Sequence, residues 1–285
     1  MIKKIKYLIE AFFIYSFFGI SKIIGLSLSR KLFSFIFQIC GPAIRSNKIP
    51  FKNLDIYSKN ISALEKKNII SNMWGNYGKT FVEYIFLKKF RNSDSHIKIL
   101  GTDILDDIKK ENKPVVFISG HFANFELMSM ELTKRNIKLA TIYRPLNNFF
   151  LNPFMEYLRK KYICKNQIKK GRNGVKDIIE FIKKNHSIAL MTDQRVSEGE
   201  KIKFFNKEAL TTTLPAQLVL KYDLKIVPIF IKRDNSNKFI MKIFDPVSFV
   251  KNKDKFFISN QLNKILENMI TENPNQWIWT HNRWK

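Results

Sequence analysis

The sequence predicts an α/β domain: a mostly parallel central sheet flanked by helices, preceded by an apolar N-terminal helical membrane anchor. Three observations predict it. From residue 97 onward, short apolar runs rich in Ile and Val alternate with amphipathic runs of helix length. The residues that carry chemistry fall just after the apolar runs, at the sheet edge where such folds bind ligands. Residues 1–44 follow a different pattern, with three early lysines ahead of a long aromatic and aliphatic stretch.

In the N-terminal segment, Lys3, Lys4 and Lys6 precede an apolar run from Tyr7 to Ile20, and a second apolar stretch runs from Leu32 to Ile39. No small-x-small site closes the first run cleanly, so a cleaved signal peptide is a poor reading of it. A spanning helix needs about 20 apolar residues, whereas Glu10 and Lys22 bracket 11 uncharged positions. An interfacial anchor, or a helix dipping into one leaflet, is the expectation, with the basic end on the cytoplasmic side. The domain boundary is placed after residue 44, with residues 45–285 forming the catalytic unit.

Residues 51–95 read as helical, since Leu54, Tyr57, Ile61 and Leu64 recur at helical spacing. Met73 to Gly78 carries two glycines and is expected to interrupt the helix. Then come a strand at 113–119, a helix at 126–134, a strand at 137–143 and helices at 153–161 and 175–184. A third strand at 187–192, a helix at 215–222, strands at 224–231 and 239–244, and a helix at 257–270 complete the order. Strands read as continuous apolar runs fit a parallel sheet covered on both faces.

The net charge is +26, from 50 Lys+Arg against 24 Asp+Glu. Such a field favours acidic partners: anionic membrane lipid, an acidic carrier protein, or nucleic acid. No zinc-finger, RRM-like or helix-turn-helix pattern appears, so nucleic acid is not expected. Cys40 and Cys164 are lone thiols outside any Cys/His cluster, and no P-loop or dinucleotide motif is present. No metal and no cofactor is therefore expected.

The candidate site lies at three strand ends. His121 follows the first strand, with Glu126 five positions on. Histidine suits a general base because its charge changes near neutral pH and a carboxylate can hold its charged form. On one helix, residues five apart point about 140° away from each other. The pair can meet only if His121 lies in a loop and Glu126 in the first helical turn. Asn124 is expected to cap that helix and to approach substrate. Arg144 and Asn148 follow the second strand. Only 10 of the 50 basic residues are Arg, so an Arg at a strand end suggests a planar fork for phosphate or an oxyanion. Asp193 and Arg195 follow the third strand, and Asp193 competes with Glu126 as the partner of His121. Thr211–Thr213 are expected to cap a helix or line a lipid chain. The C-terminal run from Trp277 to Lys285 suits a membrane interface, phosphates or a packed core. His96 and His186 are expected at the surface.

With these residues placed, the sequence resembles the bacterial lipid A biosynthesis acyltransferases, the late or secondary acyltransferases within the lysophospholipid acyltransferase-like group. The resemblance rests on Ser119 to Glu126, Tyr143 to Asn148, Met191 to Arg195 and the Trp-rich end with His281, Arg283 and Trp284, in that order. It implies transfer of a fatty acyl group from acyl carrier protein to a hydroxyl of a 3-hydroxyacyl chain on a Kdo-lipid A precursor, at the cytoplasmic face of the inner membrane. His121 would deprotonate the acceptor, Glu126 would support it, and Arg144 would bind phosphate or steady the oxyanion. Asp193 and Arg195 match the third block. A glycerophospholipid or phosphatidylinositol-mannoside-type acyltransferase using the same His-x4-Glu site is the alternative.

Overall fold

The computed structural model describes residues 1–249 and 253–285. In chain order the elements are α1 (Ile2–Ile44), α2 (Lys48–Tyr57), α3 (Ala63–Glu83), α4 (Leu87–Arg91), β1 (Ile97–Leu100), α5 (Thr102–Glu111), β2 (Val116–Ser119) and α6 (Glu126–Lys134). Then follow β3 (Leu139–Tyr143), α7 (Asn152–Leu158), β4 (Asn166–Lys169), α8 (Arg172–Lys183), β5 (Ser187–Met191), β6 (Glu200–Phe204), β7 (Lys207–Thr211), α9 (Leu214–Tyr222), β8 (Ile226–Arg233), β9 (Phe239–Ile243) and α10 (Lys255–Glu272).

Seven strands form one sheet in the order β1-β9-β8-β2-β5-β3-β4, and β6 pairs with β7 in a separate hairpin. Within the large sheet only β8 and β9 run antiparallel. The α/β class and the mostly parallel sheet are as expected. Its central strands are apolar on both faces because helices cover both; Val116, Phe117, Ile118, Ile188, Ala189, Ile226 and Val227 are all fully buried. The sequence reading missed β1, β4 and the β6–β7 hairpin. Edge strands bury one face at most, so Asn166 to Lys169 presents no apolar run to find.

α1 is two arms rather than one rod. Gly25 breaks the helix at φ 79° and ψ 169°, backbone open essentially to glycine alone. The Phe17 and Phe33 rings lie 5.6 Å apart, although 16 residues of straight helix would separate them by about 24 Å. Ser29 Oγ reaches back to the Ser21 carbonyl at 3.2 Å. The chain therefore doubles back, and one inner stripe of both arms packs on α3. Outward, Ile5, Ile9, Phe12, Ile23, Leu28, Phe35 and Ile39 are exposed. The helix is long and apolar enough to cross a membrane by length and composition.

The expected interruption at Met73–Gly78 is absent: α3 runs unbroken from Ala63 to Glu83. The glycines serve close packing instead. A Cβ on Gly78 would land on the Phe33 carbonyl oxygen, and one on Gly75 would lie 2.8 Å from Ser34 Oγ. Spaced three apart, they share one helical face and admit the second arm of α1.

A buried charge cluster ties these layers to the sheet. The Glu83 carboxylate is fully buried and accepts from Arg30 Nε of α1 at 2.6 Å, Arg233 Nη2 of β8 at 3.0 Å and Asn124 Nδ2 at 2.9 Å. Burial opposes its ionisation, but Arg233 and Arg30 outweigh that and hold its pKa below the usual carboxylate value.

Candidate active site

The sheet order puts β5 between β2 and β3, so three carboxyl ends are neighbours. Ser119 of β2 stands level with Met191 of β5. His121 and Asp193 each lie two residues beyond that level, and this equal offset makes them partners. Asp193 Oδ1 is 2.8 Å from His121 Nδ1, and Oδ2 accepts from the His121 backbone N–H at 2.9 Å and from Trp277 Nε1 at 2.8 Å. The pairing selects the Nδ1–H tautomer and leaves the Nε2 lone pair free. Burial alone would raise the Asp193 pKa; the nearby His121 charge and these three hydrogen bonds lower it to about 2.

The loop that carries His121 is held on all sides. Phe122 N–H bonds back to the Gly120 carbonyl at 2.8 Å, and Phe122 bridges to Trp277. Ala123 sits at φ 44°, donates to the Gln276 carbonyl at 3.1 Å and accepts from Thr80 Oγ1 at 2.9 Å. A side chain on Gly120 would meet the Phe122 ring at 2.7 Å. The Phe125 ring stands edge-on to the His121 imidazole, centroids 4.6 Å apart.

Glu126 opens α6, as expected, but it does not hydrogen-bond His121. It accepts from the Tyr84 hydroxyl at 2.6 Å and from Arg159 Nε and Nη2 at 2.8 and 2.6 Å. Burial, with the Glu126 charge behind it, pushes the Tyr84 phenol far above its ordinary value. Arg159, just past α7, was not singled out from sequence. The scarcity of arginine that drew attention to Arg144 applied equally to Arg159.

Two cavities meet at His121. The first, about 680 Å³, runs between the first arm of α1, α3 and the loop before α7. Tyr7, Ile14, Phe18, Tyr77, Phe81, Leu146, Asn148 and Leu151 are among its walls. The second, about 290 Å³, lies over the strand ends and is lined by Glu126, Arg144, Lys170, Arg195, Thr212 and His281 among others. His121, Phe125, Arg159 and Gln194 line both. One cavity is apolar in its walls and the other cationic.

The structure thus gathers His121, Glu126, Arg144 and Arg195 around one cavity, with Asp193 behind His121. Arg195 Nε is buried without a hydrogen-bond partner among the described residues. Asn148 lines the apolar cavity, yet its amide donates to the Tyr7 carbonyl at 2.8 Å and Glu10 Oε2 at 3.2 Å of α1. Asn124 departs from expectation: it makes no cap to α6 and lines neither cavity, because it is buried with its amide on Glu83. The C-terminal aromatics are core, not interface. Trp277, Trp279, Arg283 and Trp284 are buried, with Arg283 Nη1 on the Leu210 carbonyl at 2.7 Å and Trp284 Nε1 on the Phe204 carbonyl at 2.9 Å. Of the threonines, Thr212 lines the cationic cavity, Thr211 is buried against Arg283, and Thr213 precedes α9 without a side-chain cap. His96 is also inside, stacked on Phe90 and 3.3 Å from Glu131. Burial lowers the His281 pKa to about 4.

The sequence profile of the bacterial lipid A biosynthesis acyltransferases matches residues 2–285. The chain is 25% identical over 251 residues to the lipid A biosynthesis palmitoleoyltransferase of Escherichia coli, covering 85% of this chain and 79% of that protein. It is 22% identical over 234 residues to lipid A biosynthesis acyltransferase 2 of Shigella flexneri, covering 80% and 74%. Against the lauroyltransferase of E. coli the identity is 21% over 248 residues, covering 85% and 79%.

Proposed function

The chain belongs to the bacterial lipid A biosynthesis acyltransferase family and is therefore an acyltransferase, and from that premise we propose that it moves a fatty acyl group from acyl carrier protein to a hydroxyl of a 3-hydroxyacyl chain on a Kdo-lipid A precursor. The observation that carries this reading is the His121–Asp193 pair standing where an apolar cavity meets a cationic one. An apolar cavity of about 680 Å³ suits a fatty chain. Arg144 and Arg195 on the other side suit phosphate or a developing oxyanion.

In this mechanism His121 Nε2 takes the proton of the acceptor hydroxyl as its oxygen attacks the thioester carbonyl carbon. The C–O bond forms and the carbonyl electrons move onto oxygen, near the cationic wall. Collapse breaks the C–S bond, and the imidazolium returns its proton to the leaving thiolate. Asp193 holds the tautomer and stabilises the imidazolium between the two proton transfers. Glu126 acts one step away, fixing Arg159 on the wall shared by both cavities. The position of Asn148 supports a role in binding helix α1 across the cavity mouth as much as in touching substrate.

Residues 1–44 serve as the membrane-facing part, which fits the family's membrane association and the apolar outer face of α1. The basic N-terminus and the charge of +26 suit anionic lipid and an acidic carrier at the cytoplasmic face of the inner membrane. Mass spectrometry of lipid A from cells lacking the protein tests the assignment. A missing secondary acyl chain, restored by the wild type but not by His121→Ala, is the expected result. Intact lipid A with altered glycerophospholipids would move the assignment to that acceptor class.

A further inference from the structure

We propose that the loop between β3 and α7, with Phe149 and Phe150 at its tip, is a second membrane-contacting element bordering the mouth of the apolar cavity. The loop presents three large apolar side chains outward: Leu146 is 39% exposed, Phe149 48% and Phe150 38%. They are held there by the backbone. Asn148 Oδ1 accepts from the Phe150 N–H at 3.0 Å, Asn152 Oδ1 accepts from the Leu146 N–H at 2.8 Å, and the Tyr15 hydroxyl donates to the Phe150 carbonyl at 2.9 Å. These three hydrogen bonds favour the outward placement of the aromatics. In water, the exposed pair Phe149–Phe150, with ring centroids 4.4 Å apart, would carry an unfavourable hydration term.

The occupant follows from what the loop adjoins. Phe149 packs edge-on to Tyr7, centroids 5.9 Å apart, and Asn148 bonds the Tyr7 carbonyl, so the loop is continuous with the first arm of α1. On that arm Tyr7, Glu10, Ile14 and Phe18 share the stripe that lines the cavity, while Ile5, Ile9, Phe12 and Ile23 lie on the opposite, exposed face. Lys3, Lys4 and Lys6 flank the same end, with Lys3 Nζ 5.6 Å from the Tyr7 ring centre. Aromatics at the rim with lysines beside them are the composition of a lipid headgroup interface. Leu146, Asn147, Asn148 and Leu151 line the cavity from the loop side. A bilayer resting on both elements places the cavity mouth at the lipid surface, so that a chain enters from the membrane without crossing water.

The test uses Phe149→Trp in the full-length protein, reconstituted into vesicles of phosphatidylcholine and phosphatidylglycerol with and without shallow-brominated acyl chains. The four native tryptophans, Trp74, Trp277, Trp279 and Trp284, are buried but also emit, so the wild-type spectrum is subtracted and the difference emission reports the loop. Emission that is blue-shifted and at least halved by brominated lipid is the expected result. Red-shifted emission insensitive to bromine would place the loop in solvent and overturn the proposal. Blue-shifted emission insensitive to bromine would mean cover by protein, such as a second copy, and would overturn it equally. The readout is loop depth rather than turnover, so its failure and a failure of the catalytic assignment are separately visible.

Discussion

Replacing Asp193 by Asn separates the two carboxylates that compete for His121. The structure sets what the change does. Asp193 accepts three N–H groups, two at Oδ2 and one at Oδ1. An amide keeps its oxygen for the pair formed by the His121 backbone and Trp277. Its NH2 then faces His121 Nδ1 and forces that nitrogen to accept. The proton moves to Nε2, and the base loses the lone pair that faces substrate. A carboxylate-to-amide change behind a general-base histidine costs about 10⁴ in turnover, or roughly 5 kcal/mol of barrier. Glu126→Gln, by contrast, removes charge from the Arg159 pairing and leaves the imidazole alone. One charge-assisted hydrogen bond is worth about 1.5–3 kcal/mol, which predicts a loss of about ten- to a hundredfold. The assay is single-turnover acyl transfer from an acyl carrier protein thioester to the lipid acceptor, with thermal unfolding to verify folding. If Asp193→Asn keeps activity within tenfold of wild type while Glu126→Gln loses a thousandfold, the base-pair assignment is wrong and Glu126 takes the role.

Other consequences are open to measurement. Glu83→Gln leaves Arg30 and Arg233 buried without their anion, which costs about 3–5 kcal/mol; the unfolding midpoint should fall by roughly 10 °C. Gly78→Ala drives a methyl into the Phe33 carbonyl, an overpacking cost of about 1–3 kcal/mol seen as a lower midpoint, whereas Ala at an outward α3 position should be neutral. His281, held by burial near pKa 4, should stay neutral in imidazole NMR from pH 8 to 5. Its folded pKa lies below the unfolded value, so stability should decline as pH falls through 6.5 toward 4. Asp193 adds a second acid loss below that window: its folded pKa of about 2 lies under the usual 3.8, so its contribution is full above 3.8 and fades toward 2. Denaturant midpoints at pH 7, 5 and 3.5 would check both.

Local pattern was enough for much of the molecule. The apolar runs at 116–119, 139–143, 187–191 and 226–233 are central strands buried on both faces, so burial wrote them into the sequence. Polar residues after three such runs pointed to one sheet edge, the candidate site, because neighbouring parallel strands end there together. The apolar character of the first 44 residues and the basic charge were equally legible, since composition alone carries them. Pairing was not. Asp193 reaches His121 because β2 and β5 lie level at Ser119 and Met191, and register between strands 72 residues apart is set by the packed sheet. Arg159 turning to Glu126, Asn124 to Glu83, and the tryptophans to the core are likewise long-range choices. The glycines at 75 and 78 read locally as helix breakers; the second arm of α1 made them contact points instead, because only a surface without side chains lets two helices approach so closely.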